Sequence, residues 1–452
     1  MYAHVPRLAL AGTNSGCGKT TVTCALLQAL TDRGLSTGAF KCGPDYIDPM
    51  FHSRIIGAHS ANLDPFFFDG NTLNALLARN GAGRDVSVIE GVMGYYDGLG
   101  MDAPEASTHN VCAATQTPAV LILGSRGASL SLLAVLQGFL DFCPEAPIRG
   151  VILNQCTPMT YPSLRDAILR RFGDRVKPLG YLPPMPEVGL ESRHLGLVTA
   201  AEVADLKDKL HALSLQAEKS LDLDGLLALA NSAPAVEYEP LTLPKLEGVR
   251  IAVARDRAFC FYYGDSLEVL TDLGAELADF SPLTDRALPE NVQGLYLGGG
   301  YPELYTEQLS KNEPMRASVK AALERGLPCI AECGGFMYLT ERIGDAPMVG
   351  FLPGGSRDTG KLVRFGYITL RAKEDNLLCR AGGEIRGHEF HHWDSDDTGA
   401  GYKALKPSGR SWDCVFSTPR LYAGYPHFHF RSNPEFALNF YHACLEVKHE
   451  SA

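Results

Sequence analysis

The sequence predicts an α/β protein of two doubly wound domains, and three observations carry that expectation. Short apolar runs alternate with helical stretches through the first half of the chain, the signature of a mostly parallel sheet covered on both faces. The alternation restarts at Val249–Ala254, after Ser232–Lys245, a stretch with three prolines and no hydrophobic period. At 452 residues the chain is also too long for one ordinary core. Domains are expected over 1–231 and 247–452, joined by a linker at 232–246.

Composition removes several function classes. No uncharged apolar run reaches the roughly 18 residues of a membrane span, and Met1–Arg7 enters the first strand without the apolar region of a signal peptide. A cytoplasmic location is expected, with no membrane partner. The 12 cysteines show no C-x-x-C spacing, so neither a zinc site nor a disulfide framework is indicated. A net charge of −11 argues against nucleic acid as a partner. An anionic ligand must then be held by local cations and helix ends.

The first strand, Leu8–Ala11, runs into Gly12-Thr13-Asn14-Ser15-Gly16-Cys17-Gly18-Lys19-Thr20-Thr21 and then a helix over Val22–Leu30. This is a phosphate cradle. Glycines admit backbone N–H groups to phosphate oxygens, the helix N-terminus adds its dipole, Lys19 supplies a point charge and the Thr20 hydroxyl suits Mg²⁺. Five residues separate Gly12 from Gly18, one more than in the common P-loop. A nucleoside triphosphate is the expected ligand, with all ten residues of the loop in its site.

The second strand, Gly38–Lys41, leads into Lys41-Cys-Gly-Pro-Asp45-Tyr46-Ile-Asp48-Pro, where Gly-Pro and Asp-Pro force a rigid turn. Lys41, Asp45 and Asp48 near a triphosphate suit charge neutralisation during phosphoryl transfer. The third, Val86–Glu90, delivers Glu90 at its tip, followed by glycines and Asp97. Thr20, Asp45 and Glu90 form the expected Mg²⁺ set. Ala119–Leu123, Arg149–Asn154 and Pro178–Leu182 complete the strands, and Ala200–Ala230 closes the unit as helix. Asn154, at a strand tip, suits either a base-reading amide or a structural cap.

In the second half, Pro328-Cys-Ile-Ala-Glu-Cys333-Gly-Gly-Phe-Met reads as strand, sharp turn and helix, a nucleophile elbow carrying sulfur. The helix N-terminus is expected to lower the Cys333 pKa, and the Gly334 N–H to stabilise an oxyanion. Leu297-Gly-Gly-Gly-Tyr-Pro-Glu303 brings Gly299 and Gly300 to the same hole. Two histidine clusters offer a base, Gly387-His388-Glu-Phe-His-His and Pro426-His427-Phe-His429. Alternation puts His427 and His429 on one strand face, so one can act as base while the other orients it.

The opening loop resembles that of dethiobiotin synthetase, extra residue included. With Lys-x-Gly-Pro-Asp-Tyr-Ile-Asp-Pro, Ile-Glu-Gly-Val-Met-Gly-x-x-Asp-Gly, Gly-Val-Ile-Leu-Asn and Arg193-His194-Leu-Gly-Leu, the whole chain resembles the cobyrinic acid a,c-diamide synthase family. The resemblance implies a P-loop synthetase domain followed by a class I glutamine amidotransferase-like domain. It also implies ATP, Mg²⁺, glutamine and a corrin acid as ligands, and a homodimer is the expected assembly. By the same match His427 is the base and His429 stands where an acidic residue is usual. Tyr46, Asp97, Arg193 and His194 are expected toward the tetrapyrrole. Two departures stand out: Gly124-Ser-Arg-Gly lacks the acid common after the Ala119–Leu123 strand, and Ser192 separates Glu191 from Arg193. Hydrogenobyrinic acid and nickel sirohydrochlorin are alternative rings for the same chemistry. A partition-type switch ATPase is disfavoured, because Gly12–Ser15 lacks the second lysine of that class.

Overall fold

A computed structural model describes residues 1–188 and 200–450. The chain divides into two compact units, Met1–Leu241 and Thr242–Ala452.

The first unit is built on β1 (Arg7–Gly12), β2 (Thr37–Cys42), β3 (His59–Leu63), β4 (Val86–Glu90), β5 (Ala119–Gly124), β6 (Ile148–Asn154) and β7 (Lys177–Leu182). They form one seven-stranded sheet in the order β3-β2-β4-β1-β5-β6-β7, every pairing parallel. Strands buried on both faces read as unbroken apolar runs, which is why β1, β4 and β5 stood out. The edge strand β3, His-Ser-Ala-Asn-Leu, is half polar and carried no such signal. The first connection runs from β1 past β4 to β2, and the chain later crosses from β4 over β1 to β5. The C-terminal tips of β1, β2 and β4 therefore sit side by side where the strand order reverses, the usual ligand crevice of an open α/β sheet.

The loop after β1 feeds α1 (Lys19–Asp32), whose N-cap Gly18 takes the left-handed conformation at φ 96°. The helical stretch expected over 200–230 is two helices, Ala200–Ser220 and Leu223–Asn231. Asp222 starts the second by accepting from Gly225 N at 2.9 Å. Leu210, Leu213, Ala217 and Leu226 from this pair share a core with Leu26, Leu27 and Leu30 of α1.

The stretch expected as a linker is tied at both ends. Val236–Glu237 pairs antiparallel with Tyr2–Ala3, while Leu243 and Leu246 pack on the second unit's core. Beneath the sheet, Arg7 is fully buried. Its guanidinium faces no carboxylate among its bonded partners: it donates to Thr117 Oγ1 (3.0 Å), Val5 O (2.9 Å), Thr115 O (2.6 Å) and Pro234 O (2.9 Å). Burial pulls its pKa down to about 10.

The second unit contains β8 (Arg250–Ala254), β9 (Glu276–Phe280), β10 (Gly294–Leu297), β11 (Cys329–Glu332), β12 (Arg364–Ala372), β13 (Glu384–His391), β14 (Tyr402–Leu405), β15 (Ser411–Cys414), β16 (Phe416–Thr418), β17 (Leu421–Gly424) and β18 (His427–Phe428). A six-stranded sheet runs β9-β8-β10-β11-β17-β16, and a five-stranded sheet runs β15-β14-β12-β13-β18. The first is parallel except for the β16–β17 edge; the second is antiparallel. Both units are thus α/β with parallel sheets, and the antiparallel sheet is the β-rich end expected after Gly350. Among the described residues no helix is long and apolar enough to cross a membrane.

Candidate active sites in the two units

In the first unit the loop after β1 is shaped by what its glycines leave out. A Cβ on Gly12 would lie 2.4 Å from Cys17 Sγ, and one on Gly18 would lie 1.9 Å from Asn154 Nδ2. Cys17 is buried and fills the space over Gly12, while Asn14, Ser15 and Gly16 are exposed and Thr13, Thr20 and Thr21 half-buried. Lys19 is buried, with Nζ donating to Asn14 O (3.1 Å) and Met93 O (2.5 Å). Burial lowers its pKa. Asn154 donates Nδ2–H to Cys17 O at 2.9 Å. That bond braces the loop from the tip of β6.

Behind the loop lies a buried charged cluster. The Thr20 hydroxyl donates to Glu90 Oε1 at 2.7 Å, and Lys41 Nζ donates to the same oxygen at 2.9 Å. Lys41 also bonds Asp48. His52 Nε2 lies 3.4 Å from the other Glu90 oxygen, and both side chains are fully buried. Burial alone would raise the Glu90 pKa, but Lys41 and His52 outweigh it and hold the carboxyl ionised. Burial and the Glu90 charge push Asp48 up to about 6, against the pull of Lys41. Lys41 itself is raised: the two carboxylates overcome its desolvation. His52 opens a π-helical turn, His52–Ile56, after the short helix Ile47–Phe51, and nothing in its local sequence pointed to this site.

The remaining expected residues fall as follows. Asp45 does not face out from an open loop: its Oδ1 accepts from Ile47 N (2.8 Å) and Asp48 N (3.2 Å), capping the short helix. Tyr46 is buried, at 8% exposure. Asp97 is exposed, and its Oδ2 accepts from Gly94 N at 2.7 Å, closing the turn after β4. Arg193 and His194 lie outside the described residues.

Among the described residues no group of three or more His, Cys, Asp or Glu side chains is placed to hold a metal. Mg²⁺ takes one or two carboxylates and fills its octahedron with water and phosphate oxygens. The Thr20 hydroxyl and the ionised Glu90, already in contact, are hard oxygen donors of the right kind.

In the second unit, adjacent strand ends assemble the site. β11 pairs in parallel with β17, Glu332 opposite Gly424, so Cys333 and His427 follow neighbouring strand tips. Cys333 has φ 48° and ψ −103°, a conformation a non-glycine residue holds only at a strained elbow. Its N–H donates to Gly424 O at 2.7 Å. A Cβ on Gly334 would lie 3.2 Å from Gly300 N, and one on Gly299 would lie 2.5 Å from His427 Cε1. Gly299, Gly300 and Gly334 therefore lie together around the elbow. Gly298 N donates to the Tyr262 hydroxyl (2.8 Å), which donates in turn to Ala254 O (2.5 Å), fixing the glycine turn.

Two expectations fail here. The Cys333 thiol is raised, not lowered: burial dominates, Glu303 adds to it, and the Gly334 N–H only partly opposes them. The following helix is also short, Gly334–Leu339. Second, the group against His427 Nδ1 is Glu332, at 3.2 Å through Oε2. His429, expected as the orienting group or at the acidic position, is fully buried, accepts from Arg431 N at 3.1 Å and lies against the Tyr263 ring. Burial and Arg431 bring its pKa down to about 3. The other cluster lies alongside: His388 stacks on His427 with ring centres 5.1 Å apart. Glu389 pairs with His391 at 3.2 Å.

An elbow cysteine beside a histidine in one α/β unit, and a phosphate loop over a buried carboxylate in the other, define a class: a ligase with a nucleotide-binding domain and a glutamine amidotransferase domain. Residues 8–198 match the CobQ/CobB/MinD/ParA nucleotide binding domain and residues 250–435 the CobB/CobQ-like glutamine amidotransferase domain. The chain is 41% identical over 439 residues to the cobyrinate a,c-diamide synthase of Listeria monocytogenes serotype 4b (strain F2365), covering 94% of this chain and 97% of that protein. It is 40% identical over 432 residues to the cobyrinate a,c-diamide synthase of Clostridium acetobutylicum, covering 94% and 98%. With that of Priestia megaterium it shares 36% over 454 residues, covering 98% of each. The chain belongs to the cobyrinate a,c-diamide synthase family.

Proposed function

We propose that this chain amidates the a and c acetate carboxylates of cobyrinic acid, using ATP and glutamine, as a cytoplasmic enzyme of cobalamin biosynthesis. The observation that carries the reading is the pairing, in one chain of this family, of the Thr20–Glu90–Lys41 cluster with the Cys333–His427 elbow.

At the elbow, His427 Nε2 takes the Cys333 proton as sulfur attacks the glutamine amide carbon. The oxyanion is held by N–H groups of the Gly299–Gly300 turn and Gly334. His427 returns the proton to the amide nitrogen, the C–N bond breaks and ammonia leaves. Water then attacks the thioester with His427 as base, releasing glutamate and the thiol. Base and nucleophile act together, the proton passing to Nε2 as the sulfur attacks.

In the first unit, a substrate carboxylate attacks the γ-phosphorus of ATP, the bond to ADP breaks and an acyl phosphate forms. Ammonia displaces phosphate to give the amide. The substrate carboxylate is its own nucleophile, so positioning and charge stabilisation suffice. Lys19 serves the transferring phosphoryl group once a nucleotide replaces its loop carbonyl partners. Mg²⁺ on Thr20 and Glu90 would neutralise phosphate charge. Lys41 and His52 keep Glu90 ionised, Asp48 bonds Lys41 and holds it in place, and Asp45, Asp97, Arg193 and His194 serve the ring side.

The test is an assay with candidate rings under ATP and glutamine, reading the mass change per carboxylate converted. Cobyrinic acid should be converted twice; conversion of only hydrogenobyrinic acid or nickel sirohydrochlorin would move the substrate. Cys333→Ala should abolish glutamine-supported amidation and leave ammonia-supported amidation. Lys19→Ala should stop both while glutaminase turnover persists. Ammonia-supported activity at the wild-type rate in Lys19→Ala would remove the loop as donor site. Sedimentation checks the expected homodimer.

A further inference from the structure

We propose that Glu332, the residue immediately before the nucleophile, is the positioning acid of the glutaminase site and orients His427. The inference rests on the reading of Cys333 and His427 given above and adds a residue to it.

The geometry is specific. An ionised carboxylate only accepts, so the 3.2 Å contact makes His427 Nδ1 the donor and leaves Nε2 as the basic nitrogen. The other carboxylate oxygen accepts from the Tyr296 hydroxyl at 3.3 Å. Glu332 and His427 are 2% and 3% exposed, so water does not compete for the pair. Tyr296 is buried on β10 with its ring edge-on to Tyr262, the residue whose hydroxyl fixes the glycine turn. One connected set of side chains thus sets the base's tautomer and the donor loop.

The placement follows from the fold. Glu332 ends β11 and Cys333 begins the turn, so the strained elbow sends successive side chains to different places. The thiol takes the elbow, and the carboxylate meets His427, which starts β18 three residues after β17 ends. In the arrangement expected from sequence, the orienting group stands two residues after the base. That position is His429 here, an uncharged ring bonded to Arg431 N, which supplies no carboxylate to the imidazolium formed during the reaction. When His427 takes the thiol proton, Glu332 faces the resulting cation across its Nδ1–H. The proton on Nδ1 stays there, since the step needs only orientation and charge.

The experiment compares Glu332→Gln, Glu332→Asp and His429→Asn with wild type and Cys333→Ala in the intact chain. Glutamine-dependent and ammonia-dependent amidation are measured together with the rate of Cys333 alkylation by iodoacetamide. Glu332→Gln should lower glutamine-dependent kcat by up to about 10⁴-fold, the loss on disabling the orienting acid of a catalytic triad. The KM for glutamine and the ammonia-dependent rate should hold, and alkylation should slow. Glu332→Asp should recover part of the loss, and His429→Asn should stay within a few-fold of wild type. Wild-type kcat in Glu332→Gln, or a loss confined to KM, overturns the proposal. So does His429→Asn if it alone loses kcat. If Glu332→Gln does not fold, Tyr296→Phe decides, because it removes the second bond to the same carboxylate: kcat falls several-fold at constant KM, or the proposal fails. Glutamine-dependent activity surviving in Cys333→Ala would refute the underlying reading instead, which separates the two failures.

Discussion

Replacing Gly299 with alanine tests the elbow with one added carbon. The new Cβ would lie 2.5 Å from His427 Cε1 and 3.2 Å from Nε2. Carbon atoms rest at about 3.5 Å or more, so the ring must shift by roughly 1 Å, or the glycine turn must. Either movement spoils the donor turn or the 3.2 Å contact of Nδ1 with Glu332. Gly299 does not sit at positive φ, so alanine adds no backbone strain and the effect is steric. Overpacking of this kind costs about 1–3 kcal/mol of stability. A misplacement of about 1 Å near the chemistry costs on the order of 10²-fold in rate. Glutamine-dependent amidation should therefore fall about 10²-fold while ammonia-dependent amidation persists, both followed by ADP release at saturating ring substrate. A wild-type glutamine-dependent rate in a folded Gly299→Ala protein would refute the view that the Gly299 surface positions the base.

Gly18→Ala combines a positive φ of 96° with a Cβ 1.9 Å from Asn154 Nδ2. ADP affinity by calorimetry should drop at least 10-fold, about 1.4 kcal/mol, with glutaminase turnover unchanged; unchanged affinity would mean the brace is dispensable. Glu303 carries a pH signature. Burial, more than the nearby Asp358, raises its pKa from 4.5 to about 7. Between those values the folded state binds more protons than the unfolded one, so stability falls as pH rises through the window, by about 3 kcal/mol at most. Glu303→Gln should flatten the Tm-against-pH curve of the second unit between pH 4.5 and 7; an unaltered slope would assign it to other groups.

The legible parts of this molecule were those encoded in consecutive residues. The loop Gly12–Thr21, the Glu90 strand tip and the Cys333 elbow each carry their chemistry within a few positions. So do the apolar strands of the central sheet. What escaped depends on contacts between distant segments. His52 meets Glu90, 38 positions further along, only in the folded sheet, 3.4 Å from its carboxylate at the tip of β4. Asp45 looked available because its bonds to Ile47 N and Asp48 N close after the turn forms. Glu332 was in plain sight in Ala-Glu-Cys, yet strand alternation directed attention to His429. Only the parallel pairing of β11 with β17 shows which group meets His427. The thiol pKa depends on the balance of burial against one N–H, and a helix-start motif carries only the second of these.

Arg7 bears on how the chain comes off the ribosome. Synthesis runs from the N-terminus and domains begin folding as they emerge, but one acceptor for this guanidinium, Pro234 O, lies 227 positions further along. Until that carbonyl arrives, a cation at the base of the central strand has an unanswered N–H, and a buried unsatisfied donor costs about 1–3 kcal/mol. The nascent sheet can assemble β1 through β7 in sequence, yet its base closes only when the segment leading into the second unit has been made. The stretch that separates the two units thus also serves as the last hydrogen-bonded piece of the first.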